Sequence, residues 1–222
     1  MRSTSSNGSR AASARGFMAL FAIVLAMGLA LAACPAETAP FLYVANNGDS
    51  TVSVIDTATN TVVKTIPMGN GPYQLAVAPD GARVYVANLS SGTVSVIARP
   101  GNTVVATVPV GTHPFGVAVT PDGTKVYVAN AGSNSVSVIA TAGNTVVKTI
   151  PVGNGPEGVA VTPDGTKVYV ANISSNNVSV IARPGNTVVA TVAVGALSPL
   201  ESLSPRTGRT PTSRMRTPTM FR

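Results

Sequence analysis

The chain has very few of the residues that build most catalytic and metal centres. Among its 222 residues there are one cysteine, one histidine and no tryptophan. A single cysteine excludes a disulfide within the chain, and one cysteine with one histidine excludes a zinc site of the cysteine–histidine type. A Ser-His-Asp triad would have to use His113, in the loop sequence G-T-H-P, and no G-x-S-x-G motif is present. We therefore assign no catalytic residue, metal ligand or cofactor, and a non-enzymatic role is favoured.

Charged side chains are also scarce, at 10% of the chain, and they are unevenly placed. The net charge is +7, yet residues 41–195 contain seven Lys and Arg against six Asp and Glu. The excess positive charge lies near the two ends of the chain. A nucleic-acid surface needs basic residues clustered on the folded part. The nearly neutral middle therefore argues against a nucleic-acid partner.

The amino-terminal segment is typical of an export signal. Residues 1–16 are polar with three arginines and no acid, and residues 17–33 form a nearly unbroken apolar run. A charged segment followed by an apolar one is the pattern of a secretory signal peptide. The run is about as long as the shortest membrane spans, so an uncleaved anchor is the alternative. We expect residues 1–33 to be a signal peptide.

The single cysteine stands where the apolar run ends. The sequence L-A-A-C ends at Cys34 and resembles the lipobox of bacterial lipoproteins, in which the cysteine is lipidated and becomes the first mature residue. Elsewhere a lone cysteine is usually a small buried hydrophobe. The resemblance implies that Cys34 carries acyl chains, that residues 34–40 form a tether, and that the exported protein is a membrane-anchored lipoprotein, periplasmic or at the cell surface.

The middle of the chain is built from a 42-residue repeat. The tetrapeptide Y-V-A-N begins at Tyr43, Tyr85, Tyr127 and Tyr169, and the same spacing relates Asn60, Asn102, Asn144 and Asn186. Each repeat has four short segments rich in Val, Ile and Thr, which strands favour; in the first repeat these are 42–45, 51–55, 61–66 and 74–77. A period in the forties with several strands is typical of a β-propeller or a similar array.

Polar residues mark the turns and the ends of the predicted strands. P-D-G follows the fourth strand at Asp80, Asp122 and Asp164. In such a turn Pro presets φ, Asp accepts a bond from the backbone and Gly takes positive φ. We interpret these aspartates as turn residues rather than metal ligands. The asparagine of each Y-V-A-N is expected to satisfy free backbone groups at the strand end.

The units resemble the YVTN β-propeller repeat of bacterial and archaeal cell-surface proteins, also called surface-layer-like repeats. The match rests on Y-V-A-N, T-V-S-V-I, N-T-V-V-x-T-I-P-V-G and P-x-G-V-A-V-T-P-D-G-T-K-V over residues 41–195, with Ala for Thr in the tetrapeptide. The resemblance implies an all-β propeller of four-stranded antiparallel blades, usually about seven. Because fewer than four repeats are legible, we predict an incomplete arc of about three and a half blades, a fragment of a seven-bladed ring. Its open faces would favour self-association.

Residues 196–222 depart from the repeat. Their Arg-, Thr-, Pro- and Ser-rich composition predicts a disordered tail. One permitted choice of codons for residues 198–222, read in the neighbouring frame, gives PFGVAVAADGTHAYVANADSDNVS, which continues the 42-residue repeat in register. We therefore interpret the tail as an out-of-frame translation of a fifth repeat.

One position varies in otherwise similar repeats, and it is occupied by Tyr73, Phe115 and Glu157. Such variation marks either a binding face that differs between blades or a tolerant surface position. We predict a lipid-anchored binding or scaffold module with a protein or glycan ligand at the cell envelope. The resemblance leaves two alternatives: a lactonase-like propeller enzyme, whose centre can hold a metal and catalytic carboxylates, and a periplasmic single-stranded-DNA-binding propeller.

Overall fold

The computed structural model describes residues 41–195, which form four antiparallel sheets, or blades. Blade 1 contains β1 (Phe41–Asn46), β2 (Thr51–Asp56) and β3 (Thr61–Pro67). Blade 2 contains β4 (Pro72–Val77), β5 (Arg83–Asn88), β6 (Thr93–Ala98) and β7 (Thr103–Pro109). Blade 3 contains β8 (Pro114–Val119), β9 (Lys125–Asn130), β10 (Ser135–Ala140) and β11 (Thr145–Pro151). Blade 4 contains β12 (Pro156–Val161), β13 (Lys167–Asn172), β14 (Asn177–Ala182) and β15 (Thr187–Ala193).

This architecture confirms the predicted all-β propeller arc. Three blades have four strands, and blade 1 has three strands within the described range. Short 3-10 helices at Ala131–Ser133 and Ile173–Ser175 are the helical elements of residues 41–195. None of the helices in this range has the length and apolar character needed to cross a bilayer.

The strand that ends each 42-residue unit pairs with the first strand of the next unit. For example, β4 pairs with β5 through the P-D-G turn, in which the amide of Gly81 donates to the carbonyl of Ala78 at 2.8 Å. The carboxylate of Asp80 accepts from the amide of Ala82 at 2.9 Å, and Gly81 has a φ of 68°. The turn interpretation is thus confirmed, and the short turn explains why one blade takes strands from two repeats.

The core lies between blades rather than within one sheet. Each strand alternates, so every blade has two apolar faces. We call the face carrying Tyr85, Val94 and Val96 the back face of blade 2, and the face carrying Val84, Val86 and Ile97 its front face. Residues at the same position of the 42-residue repeat are called sister residues, and they define the back and front faces of the other blades. The back face of each blade packs on the front face of the next, and the three resulting clusters hold most of the buried apolar residues. Burial on both faces explains the Val- and Ile-rich strands.

The outermost strand of each blade carries a β-bulge. The register between the two outermost strands shifts at the same place in all four blades, for example between Val54 and Ile55. The bulge leaves one valine of the outermost strand unpaired and exposed in each blade: Val63, Val105, Val147 and Val189. A bulge of this kind bends the strand and increases its twist.

Candidate binding face on the inner strands

The three predicted variable residues occupy one structural position on neighbouring inner strands. Tyr73, Phe115 and Glu157 are the second residues of β4, β8 and β12, the first strand of each four-stranded blade. In each strand the pairing register shifts directly at this position. A β-bulge redirects the side chain of the extra residue and is common beside functional sites. The variable side chain of each repeat therefore lies at a β-bulge, where the regular pairing of the two strands is interrupted.

Two of the variable residues form an aromatic pair. The ring centroids of Tyr73 and Phe115 lie 4.1 Å apart with an interplanar angle of 44°. The Tyr73 side chain is 46% exposed, whereas Phe115 is partly buried. Offset and tilted aromatic pairs are favourable contacts. The pair thus forms an apolar surface in which Phe115 is partly buried and Tyr73 is exposed to solvent.

The third variable residue adds an acid. Glu157 is partly buried, and removal from water raises the pKa of its carboxyl group above the ordinary value. Its Oε2 has no hydrogen-bond partner among residues 41–195. The inner-strand position is therefore chemically different in each blade.

Close backbone contacts fix these strands side by side. A methyl group on Gly116 would lie 2.1 Å from the carbonyl oxygen of Glu157, so β8 and β12 approach at the bulge. Between β4 and β8 the Gln74 side chain accepts a hydrogen bond from the amide of Val117 at 2.9 Å. The sequence analysis did not identify Gln74. Its sister residues are Gly116 and Gly158, and a large polar residue aligned with two glycines could have indicated a special contact at this position.

His113 is not part of a catalytic constellation in the described range. It is exposed, has a φ of 49°, and its carbonyl accepts the amide of Ala131. Its sister residues are Gly71 and Gly155, both with positive φ. Within residues 41–195 no three His, Cys, Asp or Glu side chains come close enough to hold a metal ion.

The repeated asparagines lie inside the blades, fully buried at Asn88, Asn130 and Asn172 and partly buried at Asn46. The side-chain amide of Asn88 donates to the hydroxyl groups of Thr93 and Ser95 at 3.0 and 2.9 Å. Blades 1, 3 and 4 have the same arrangement at Asn46, Asn130 and Asn172. These donors go to side-chain oxygens of the next strand, not to backbone groups as we expected. The asparagines thus hold adjacent strands together.

Two of the P-D-G turns, those of Asp122 and Asp164, line a separate open cleft of about 520 Å³. There Arg183 forms an ion pair with Asp122 at 3.1 Å. Hydrogen bonds from the Thr162 hydroxyl and the Thr166 amide lower the pKa of Asp164 to about 2. Both carboxylates are engaged by their own turns, which supports a structural role for them.

The predicted lipidation site, Cys34, lies outside the described residues, as do the predicted signal, tether and tail at 1–33, 35–40 and 196–222. Lipidation, export and the out-of-frame tail stay predictions.

Comparisons with known proteins agree with the architecture. A family model described as "YNCE-like beta-propeller" matches residues 9–131, and one described as "Lactonase, 7-bladed beta-propeller" matches residues 104–195. Among curated proteins, the uncharacterized protein YwhL of Bacillus subtilis is 57% identical over 42 residues, which is 19% of this chain and 9% of that protein. The PE-PGRS family protein PE_PGRS18 of Mycobacterium tuberculosis is 58% identical over 38 residues, 17% of this chain and 8% of that protein. The chain thus spans about a tenth of the length of these relatives.

Solved structures with a similar fold include two propeller-containing proteins. Kuenenia stuttgartiensis hydrazine synthase superposes with a TM-score of 0.66 at 30% identity, over 69% of this chain and 46% of that chain. The dihydro-heme d1 dehydrogenase NirN, in complex with DHE, superposes with a TM-score of 0.62 at 22% identity, over 73% of this chain and 37% of that chain. This chain covers less than half of either structure.

Proposed function

Because the chain belongs to the YNCE-like β-propeller family, we propose that it is an exported, lipid-anchored propeller that binds a ligand at the cell envelope through its inner-strand face. One observation carries this proposal. One position that varies in chemistry between sister blades, occupied by Tyr73, Phe115 and Glu157, is the bulged position of three adjacent inner strands. Variation at a bulge on a repeated scaffold is a place where binding differences accumulate.

The chemistry of this face suits a glycan. An exposed aromatic surface stacks on the apolar C–H face of a sugar ring, and the Tyr73–Phe115 pair provides one. The partly exposed Glu157 carboxylate provides an acceptor for hydrogen bonds from sugar hydroxyl or ammonium groups. A few directed polar groups beside an apolar surface are typical of ligand sites. We therefore favour an envelope glycan over a protein ligand.

Calorimetric titration with soluble fragments of bacterial cell-wall glycan tests the ligand. We expect binding by the full chain, and at least about fivefold weaker binding by Tyr73→Ala, because loss of the aromatic contact to the ligand removes about 1 kcal/mol or more. Val63→Ala is the control, because Val63 is exposed on the outer strand β3, away from the inner strands. Equal affinity of the two variants would contradict the proposed face.

Export and anchoring have their own test. In a bacterial host fed a labelled fatty acid, the full chain should carry the label and remain with the membrane fraction. Cys34→Ala should lose the label, since Cys34 is the sole cysteine. An unlabelled full chain would exclude the lipid anchor and leave the binding proposal untouched.

A second candidate, lactone hydrolysis, is favoured by the match of the lactonase family model to residues 104–195. Among residues 41–195 no three carboxylates lie close enough together to hold a metal ion, so this range adds no support for it. A lactone hydrolysis assay of the full chain, with and without a chelator, distinguishes the binding function from the enzymatic one. Turnover that the chelator abolishes would replace the binding proposal by an enzymatic one.

A further inference from the structure

The charged side chains of residues 41–195 are sorted between the two ends of the blades. We call the end that carries the P-D-G turns the turn end, and the opposite end, which carries loops such as 110–113, the loop end. All seven basic side chains place their charge at the turn end: Lys64, Arg83, Arg99, Lys125, Lys148, Lys167 and Arg183. Asp56, Asp80, Asp122 and Asp164 lie there too, whereas Asp49 and Glu157 lie toward the loop end. The turn end is therefore net positive and the loop end net negative.

Most of these positive charges have no acidic partner in the described range. Arg183, which pairs with Asp122, is the one basic residue of 41–195 that forms an ion pair there. The Lys64 ammonium instead donates to the carbonyl of Gly101 at 2.8 Å, and the Arg99 guanidinium donates to that of Gly81 at 3.3 Å. A bond to a neutral carbonyl leaves the charge in place. The turn end therefore keeps a positive potential that attracts an anionic partner.

The outermost strands add apolar side chains near the same end. These strands run from the turn end to the loop end, and the bulge valine is the third residue of each. The bulge valines are exposed: Val63 by 51%, Val105 by 54%, Val147 by 53% and Val189 by 57%. A bulge on an edge strand opposes pairing with another strand, so an added strand does not explain them. Exposed apolar side chains beside basic ones suit the surface of a membrane.

The chain enters the blades at the turn end. β1 begins at Phe41, which pairs with Asp56 at that end, and Cys34 lies seven residues earlier. Seven residues span at most about 25 Å. If Cys34 is lipidated, as proposed above, the turn end is held within this distance of the bilayer. The tether alone would also let the blades lie on their sides, so the charges and valines decide which surface meets the lipid.

We propose that the turn end is a docking surface for an anionic membrane. The basic side chains face the lipid headgroups, and the bulge valines contact the interfacial layer. Each basic side chain near an anionic surface strengthens the attraction by a factor of about five. This orientation turns the loop end away from the membrane, so that Tyr73, in the loop-end half of β4, stays open to a ligand. The location of the docking surface rests on the proposed lipid anchor, and its chemistry does not.

Energy transfer from a fluorescent label to acceptor-labelled lipid headgroups tests this orientation. The label is attached to the full, lipidated chain at Ala58→Cys or Gly48→Cys, which are exposed positions beyond the two ends of β2. Lipidation of Cys34, the sole native cysteine, leaves the introduced thiol free for the label. In vesicles containing phosphatidylglycerol, the label at position 58 should transfer energy at least about twice as efficiently, because the strand separates the two positions by about 20 Å. Equal transfer, or stronger transfer from position 48, would overturn the proposal.

Two double variants with the same change in net charge isolate the basic surface. Lys125→Gln with Lys167→Gln removes two positive charges from the turn end, so the attraction should weaken about 25-fold and most of the difference in transfer should disappear. Asn70→Asp with Asn154→Asp adds two negative charges at exposed positions of the loop end and should preserve the difference. Circular dichroism verifies that both variants fold. The same response from both would contradict the proposal. Binding of single-stranded DNA that only the lysine variant loses, with unchanged transfer, would assign the basic surface to nucleic acid.

The fatty-acid labelling of Cys34 keeps this proposal separate from that of the anchor. A chain without acyl chains would refute the anchor alone. Flotation of that chain with phosphatidylglycerol vesicles, compared with vesicles of phosphatidylcholine, would then measure the turn end by itself. The lysine variant should lose the preference for the anionic vesicles, and the asparagine variant should keep it. An equal preference of the two variants would overturn the docking surface.

Discussion

Two sister tyrosines should respond oppositely to the loss of their hydroxyl groups. Tyr85 and Tyr127 are both fully buried at blade junctions. The hydroxyl of Tyr127 donates to the side chain of Asn186 in the next blade. The hydroxyl of Tyr85 has no partner within residues 41–195. We expect Tyr127→Phe to destabilise the fold and Tyr85→Phe to stabilise it.

The difference follows from one neighbouring side chain. The guanidinium of Arg83 donates to the carbonyl of Thr141 and, at 3.4 Å, to the side chain of Asn144, the sister of Asn186. Arg83 therefore engages the acceptor that the hydroxyl of Tyr85 would use. At the next junction the sister of Arg83 is Lys125, and the hydroxyl of Tyr127 keeps its acceptor.

The expected changes in the free energy of unfolding follow from the surroundings of the two hydroxyl groups. Tyr127→Phe removes a hydrogen bond with a net contribution of about 1 kcal/mol, and the partly exposed Asn186 can recover a bond to water. Tyr85→Phe removes a buried hydroxyl without a partner, whose burial costs about 1–3 kcal/mol. The free energies of unfolding of the two variants should therefore differ by about 2–4 kcal/mol, which corresponds to roughly 4–16 °C in Tm for a chain of this size.

Urea unfolding of both variants at one chain concentration measures the difference. In the Arg83→Lys background, which copies the junction at Lys125, Asn144 becomes available to the Tyr85 hydroxyl. There Tyr85→Phe should be destabilising by about 1 kcal/mol, like Tyr127→Phe in the native chain. Equal losses for the two phenylalanine variants in the native background would refute the assignment.

Four further predictions follow from local geometry and from the sequence. Gly116→Ala should destabilise by about 3 kcal/mol or more in thermal unfolding, since its methyl group would meet backbone at 2.1 Å, whereas Gly48→Ala, which faces open space, should be neutral. His113→Gly should raise the free energy of unfolding by about 1 kcal/mol, because φ is 49° and glycine tolerates it; an unchanged Tm would contradict this. The pKa of Asp164 is lowered from 3.8 to about 2, so its stabilising contribution is present above pH 3.8 and is lost as the pH falls toward 2. Asp164→Asn should weaken the dependence of Tm on pH between pH 3.8 and about 2. The gene should encode the repeat in the neighbouring frame across codons 198–222; an unrelated frame would end that interpretation.

The strands and turns were predictable because they depend on local chemistry. The β-branched runs and the P-D-G turns placed the second strand at 51–55, and the structure extends it by one residue, to Asp56. Asp80 and Gly81 take the predicted roles because a tight turn restricts both backbone angles and acceptors. A repeat of this regularity leaves few alternatives for its fold.

The inner-strand face was predictable only as a set of positions. Periodicity aligned Tyr73, Phe115 and Glu157, but it did not give the bulge or the contact between the two rings. Those features depend on how closely neighbouring inner strands approach, which is set by packing between blades. The pairing of Arg83 with Asn144 was equally hidden, because the two residues lie 61 positions apart and belong to different blades.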